Sequence, residues 1–341
     1  MRRIKKTELP RLYEAIAKTQ SLYLPVKSAG KTNFALWTEN VQPDIDTLKT
    51  VKSPKDAFFP QCENLYTVKR EAGKLKLTAE ELESESFVVF GIRACDVRAL
   101  SILDKVFLSN PVDTYYAARR EHGVIVSLAC NRPEVSCFCG TFGIDCAQPE
   151  GDVATWLSGE YLYWQPQTEK GEALTNTLCD LLEEAEEVPV AQAKEEIRAI
   201  CERLPLRDLS LEKWGAQAAH DNFDSSLWEE LYKGCLACGT CTFVCPTCQC
   251  YDIKDYDTGN GVQRYRCWDS CMYSDFTMMA HGNNRNSQMQ RFRQRFMHKL
   301  AYFPANNDGA FSCVGCGRCV DKCPSHLNIV KVIKAFGKEE K

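Results

Sequence analysis

Two short, almost wholly apolar runs stand out along the chain, Phe87–Ile92 (FVVFGI) and residues 124–129 (VIVSLA). Runs of that length with no polar face predict strands buried on both sides. Between them, residues 96–108 (DVRALSILDKVFL) place Val97, Leu100, Leu103 and Phe107 on one face, with Asp96 in the first turn. That period predicts a helix. Strand, helix and strand in this order predict a right-handed parallel crossover. Residues 33–37 (NFALW) and 65–68 (LYTV) are weaker strand candidates. Residues 1–155 are therefore expected to form an α/β domain.

The pattern then changes. Residues 161–164 (YLYW) read as a short strand. Residues 173–187 and 191–204 read as Glu-rich helices with solvated faces. Residues 156–225 are accordingly expected to be a helical spacer, with Cys179 and Cys201 as buried thiols on helix faces. Residues 226–341 are set apart by cysteine. In this stretch residues 288–300 read as a helix carrying Arg291, Arg293, Arg295, His298 and Lys299. Such a helix either compensates buried anions, docks an acidic partner, or simply faces water.

Cysteine changes the picture most. The run Cys235, Cys238, Cys241, Cys245-Pro246 recurs as Cys313, Cys316, Cys319, Cys323-Pro324. Each copy reads C-x2-C-x2-C-x3-C-P, the spacing of bacterial ferredoxin cubanes. Three thiolates on one loop hold three irons. The fourth, followed by Pro, is carried to the other cluster. The expected [4Fe–4S] ligand sets are Cys235, Cys238, Cys241 and Cys323, and Cys313, Cys316, Cys319 and Cys245. Zinc has no use for the third and fourth Cys of each run, and disulfides suit small secreted domains. Ferredoxin runs often lie close together; here residues 246–312 form a long insertion. The expected architecture is an α/β N-terminal domain followed by an α+β, ferredoxin-like dicluster domain.

The chain has 341 residues, 44% hydrophobic and 26% charged, with a net charge of −4. That balance gives no argument for nucleic acid, and no nucleic-acid motif is present. No apolar stretch approaches the ~18 residues of a membrane span. The basic start, MRRIKKTELPRLYEAIAK, lacks the apolar core of a signal peptide and reads as the exposed first turn of a helix. Twenty cysteines without an export signal point to metal thiolates in a reducing cytoplasm.

Twelve cysteines lie outside the two runs. Cys95 sits at the start of the 96–108 helix and Cys130 just after the second strand. Parallel neighbouring strands would bring both to one carboxyl edge, where open α/β sheets place ligands. Cys137 and Cys139 follow. The helix dipole is expected to favour the Cys95 thiolate. A third Fe–S cluster is therefore expected at Cys95, Cys130, Cys137 and Cys139; structural zinc and plain buried thiols are the alternatives. Cys146 is a spare ligand and Cys62 is isolated. Cys248, Cys250, Cys267 and Cys271 match no standard spacing. They read as a further metal site, as thiols flanking a cubane, or as buried apolar side chains.

These motifs together resemble the iron–sulfur electron-transfer subunits of anaerobic sulfite reductases and the beta subunits of cytoplasmic sulfhydrogenases. The matching stretches are GIRACD (91–96), Tyr115-Tyr116 with Arg119-Arg120, CFC (137–139), CPTCQC (245–250), WDSCM (268–272), His298-Lys299 and CVGCGRC (313–319). The chain departs from the family pattern after Cys139, where GTFGIDC (140–146) stands in place of a Ser-Met-Gly run. The resemblance also argues against Cys267 as a ligand.

The resemblance implies an electron-transfer subunit without catalysis of its own. Two partners would flank it. One is an FAD-containing, NAD(P)H-oxidising subunit. The other is a terminal siroheme sulfite reductase, nickel–iron hydrogenase or heterodisulfide-reductase-like module. No G-x-G-x-x-G unit is present, so flavin and NAD are expected on a partner. The rival reading is a self-contained Fe–S reductase whose reaction site is one of the non-ferredoxin Cys groups. A zinc-stabilised scaffold is a third.

Overall fold

The computed structural model describes residues 1–338. The chain opens with strand β1 (Arg2–Lys5), not with the helix its basic residues suggest; helix α1 (Leu9–Ala17) follows. Leu9, Leu12, Tyr13 and Ile16 of α1 face inward, at helical spacing. Then come β2 (Ser21–Ser28), β3 (Lys31–Leu36), a hairpin of β4 (Cys62–Glu71) and β5 (Lys74–Ala79), and β6 (Phe87–Ile92). Helices α2 (Ala94–Phe107) and α3 (Thr114–His122) lead to β7 (Gly123–Leu128). Next are β8 (Val153–Ser158), β9 (Tyr161–Pro166), α4 (Glu169–Thr177), β10 (Glu183–Glu184) and α5 (Val188–Cys201).

Eight of these strands form one mixed sheet in the order β10-β1-β9-β8-β7-β6-β2-β3. Strands β2, β6, β7 and β8 pair parallel; β3 pairs antiparallel with β2 on one flank, and the β8–β9, β9–β1 and β1–β10 pairings on the other are antiparallel. The crossover from β6 through α2 to β7 lies where the apolar runs predict it. Period-2 alternation divides β6 between two cores. Val88 and Phe90 pack with Leu12 and Ile16, while Phe87 and Val89 pack with Val97, Leu100, Leu103 and Phe107.

The expected division near residue 155 falls inside β8, and the sheet continues through β9 and β10. The expected 173–187 helix stops at Thr177. Leu178 and Leu182 turn into the core, so that Glu183–Glu184 pairs with β1. Residues 206–225, expected as spacer, join the C-terminal core instead. Leu209, Trp214, Trp228 and Leu231 join Phe292, Phe296, Ile333 and Phe336 in one C-terminal core. Trp228 stacks on Phe296.

The insertion ties the two halves together. Its hairpin, β11 (Tyr251–Asp257) and β12 (Gly261–Trp268), pairs with β4 in a second sheet ordered β11-β12-β4-β5. Buried Glu63 in β4 accepts hydrogen bonds from Arg266 in β12 and Arg119 in α3; Arg266 also bonds Asp113. Among the described residues no helix is long and apolar enough to cross a membrane.

Candidate metal centre

Each cysteine run folds as a tight loop that opens into a one-turn helix, Thr240–Phe243 in the first copy and Arg318–Lys322 in the second. The two helices pack against each other. The loops share their backbone. Ala237 and Gly239 have positive φ in one, and Gly315 and Gly317 at the equivalent places in the other. At Gly315 a Cβ would collide with the carbonyl of Phe138, and at Gly317 with that of Ser136. Glycine there permits both the left-handed conformation and the close approach of another backbone.

Cys245, the fourth cysteine of the first run, lies near both loops and also acts on Cys241. Cys245 lies close enough to Cys313, Cys316 and Cys319 to raise the pKa of each, although burial is the larger cause. Burial pushes Cys313 up to about 12 and Cys241 up to about 11. Cys241 also feels Cys235. Cys323, Cys235 and Cys241 pack against the same apolar core, and the Leu327 amide donates to Cys323 Sγ at 3.2 Å. Cys238 is exposed; hydrogen bonds from Thr240 hold its pKa below the usual thiol value.

Three buried cations stand around these thiols. Arg295 and Lys299 of the basic helix turn inward, since Gln288–Met297 runs into a wider turn over His298–Tyr302. Burial alone would depress Lys299, but Cys245, Cys248 and Cys313 outweigh it and hold it protonated. Lys299 Nζ donates to Thr247 Oγ1 at 2.9 Å and to the Ser312 carbonyl at 3.1 Å. Lys55 is buried over the Trp268 ring and donates to the Cys248 carbonyl at 2.7 Å. Arg295 Nε is buried with no hydrogen-bond partner, and the charges nearest it are Cys241, Cys319, Cys248 and Cys245. A buried cation without an anion costs several kcal/mol. The region therefore fits a negatively charged metal–thiolate group.

A second thiol cavity lies at the carboxyl edge of the main sheet. Cys95 is in the first turn of α2, Cys130 follows β7, and Cys137 and Cys139 lie on the next loop. All four line one cavity, together with Cys146, Cys201 and Cys316. Cys316 belongs to the second ferredoxin-type loop. The Phe138 amide donates to the Gly315 carbonyl at 2.9 Å, so the CFC loop and that loop form one wall. Arg93 reaches the carbonyls of Ala129, Ile45 and Thr47. Arg318 closes the wall through two bonds to Asp96, of 2.6 and 2.7 Å, with both side chains 2% exposed. The expected dipole effect on Cys95 is overruled. Burial, with Asp96 beside it, raises its pKa well above the usual value. Among the described residues, no three Cys, His, Asp or Glu side chains close on a point suited to a single metal ion.

The sequence profile of the 4Fe-4S dicluster domain family matches residues 234–327, spanning both runs and the insertion. The chain is also similar to sulfhydrogenase 2 subunit beta of Pyrococcus furiosus. The two are 30% identical over 328 residues, covering 95% of this chain and 94% of that protein. The chain belongs to the sulfhydrogenase beta-subunit family. It is an iron–sulfur protein of electron transport, a component of the oxidoreductase class. No solved structure gives a significant match.

Within this sulfhydrogenase beta-subunit relative, the remaining motifs divide into metal-side and structural groups. Cys248 contacts Cys245, and Cys250 contacts Cys271. These thiols lie beside Lys55, Lys299 and Arg295. Cys267 is elsewhere: it sits on β12 directly opposite Cys62 of β4, so it does not join the group. The Tyr115-Tyr116 and Arg119-Arg120 motif is structural. Tyr116 and Arg120 both bond Asp104, and Arg119 bonds Glu63. Cys179 is exposed, not buried. Cys201 enters the N-terminal cavity rather than an inert helix face, and sequence spacing gives no sign of it. Arg295 and Lys299 do leave a sign, because they interleave with Phe292, Phe296 and Leu300 on one stripe.

Proposed function

We propose that this chain relays electrons through three iron–sulfur centres as one component of a multisubunit oxidoreductase. Cys235, Cys238, Cys241 and Cys323 would hold one [4Fe–4S] cluster, and Cys313, Cys316, Cys319 and Cys245 a second. Cys95, Cys130, Cys137 and Cys139 would hold the third. When bound, such clusters supply one-electron redox chemistry. An FAD- and NAD(P)H-binding reductase subunit would feed the relay, and a terminal hydrogenase, siroheme sulfite reductase or heterodisulfide-reductase-like module would drain it. The similarity to a sulfhydrogenase beta subunit supports this place in a complex. Cys248, Cys250 and Cys271 flank the second ligand set and would tune it with Lys55, Lys299 and Arg295 rather than bind a separate metal.

One observation carries the reading: the wall common to the CFC loop and the Gly315–Cys316 loop. Through it Cys316 of the second run lines the same cavity as the N-terminal thiols. The Asp96–Arg318 pair and the Phe138–Gly315 bond tie the two sides of that wall together. The test is anaerobic co-purification followed by an NAD(P)H assay. The complex is expected to turn over and the chain alone to show none; turnover by the isolated chain would favour a self-contained reductase.

A further inference from the structure

Besides the four proposed ligands and Cys316 of the second ferredoxin-type loop, the N-terminal cavity is lined by two further thiols, Cys146 and Cys201. Cys146 and Cys201 are 55 residues apart, and their sulfurs are 3.0 Å from each other. Three local contacts hold the pair. The Cys130 amide donates to the Cys146 carbonyl at 3.0 Å. Trp156 Nε1 donates to the Ala147 carbonyl at 2.8 Å. Arg198, one turn before Cys201 on α5, bonds Asp145, the neighbour of Cys146, at 2.8 Å. Cys146 is buried and also contacts Cys130 and Cys139; Cys201 is half-buried.

The pair stands between two spaces. On one side is the cavity with Cys95, Cys130, Cys137 and Cys139. On the other is a surface pocket lined by Cys146, Cys201, Cys139, Arg198, Arg207 and Gly140. The sulfurs need to close by only about 1 Å to reach the ~2.05 Å of a disulfide.

We propose that Cys146 and Cys201 form a redox-active dithiol–disulfide pair that reduces a low-molecular-weight organic disulfide admitted by the surface pocket. This rests on the reading of an iron–sulfur centre at Cys95, Cys130, Cys137 and Cys139. Opening the Cys146–Cys201 bond consumes two electrons and two protons and leaves two thiols. An iron–sulfur group held by Cys95, Cys130, Cys137 and Cys139 would supply these electrons one at a time. The Cys201 thiolate then attacks one sulfur of R–S–S–R, and the departing R–S⁻ takes the Cys201 proton. Cys146 attacks the mixed disulfide at Cys201, its proton passes to the second R–S⁻, and the Cys146–Cys201 bond reforms. The net change is one R–S–S–R, two electrons and two protons giving two R–SH. The relay thereby turns one-electron transfer into two-electron chemistry.

The test uses the anaerobically purified, cluster-loaded chain. It is reduced with dithionite, freed of it, treated with 2-hydroxyethyl disulfide, alkylated and digested for mass spectrometry. The account expects the Cys146 and Cys201 peptides joined by a disulfide. It also expects two more electrons per chain in a reductive titration of the treated protein. Cys201→Ser removes both signals and keeps its iron; Cys179→Ser, at an exposed thiol, keeps both signals. Absence of the cross-link in the unaltered chain overturns the proposal. So does the loss of about four irons from Cys201→Ser, which would make Cys201 a cluster ligand. Unchanged iron in Cys137→Ser overturns the reading of the N-terminal centre, and with it the donor. Iron lost from Cys137→Ser with no 146–201 cross-link overturns the pair alone.

Discussion

The two thiol neighbourhoods differ in how their buried cations are matched. Around the N-terminal cavity Arg318 is paired with Asp96, Lys49 with Glu134 and Asp321, and Arg93 is spent on three backbone carbonyls. Beside the C-terminal runs, Lys55 and Lys299 bond only neutral oxygens, and Arg295 Nε bonds nothing. Unmatched positive charge favours the more negative, reduced state of a cluster. The comparison teaches that two sites built from the same ligand can be set to different potentials by their cations. The C-terminal centres are expected to reduce at more positive potential than the N-terminal one, in a redox titration followed by electron paramagnetic resonance.

The sharpest way to separate the two regions is to remove one ligand. Cys137→Ser is expected to cost about four irons while the signals of the C-terminal clusters persist. Next in size is Asp96→Asn, which strands Arg318 inside the wall. Breaking one side of a buried pair costs about 3–5 kcal/mol, read as a lower midpoint in urea. The pH response concerns the C-terminal region. Burial, reinforced by Lys299 and Arg285, lowers His298 to about 4. Unfolded histidine takes its proton near pH ~6.5, whereas the folded chain refuses it until about 4. Stability therefore falls as pH drops through that window, by up to about 3 kcal/mol, and His298→Phe flattens the loss.

Smaller still is Lys299→Met. It is expected to move a C-terminal potential negative by on the order of 100 mV, the scale of one unit charge at roughly 5–10 Å and an effective dielectric near 20. The N-terminal potential should stay put. An equal shift in both regions would break the comparison. The smallest expected effect is none: Cys267→Ser keeps all its iron, because Cys267 faces Cys62 across β4 and β12.

Legibility followed the range of the signal. The runs at β6 and β7 and the apolar face of α2 are local, and both appear as read. Strand β1 (RRIK) is too short and too basic to look like sheet, yet it fills the gap between β9 and β10. The Cys95, Cys130, Cys137 and Cys139 grouping was legible because a parallel crossover brings its strand ends to one edge. Cys201 was not, since its approach to Cys146 depends on how α5 docks through Arg198 and Asp145. The pairing of the insertion hairpin with β4 was equally hidden, because register between distant strands leaves no periodic mark.

The proposed relay needs three iron–sulfur centres in one chain across a common wall. Iron and acid-labile sulfide on anaerobically purified protein test it most directly. Three clusters give about 12 of each per chain, whereas about 8 of each would remove the N-terminal centre, and zinc in place of iron would contradict the relay altogether.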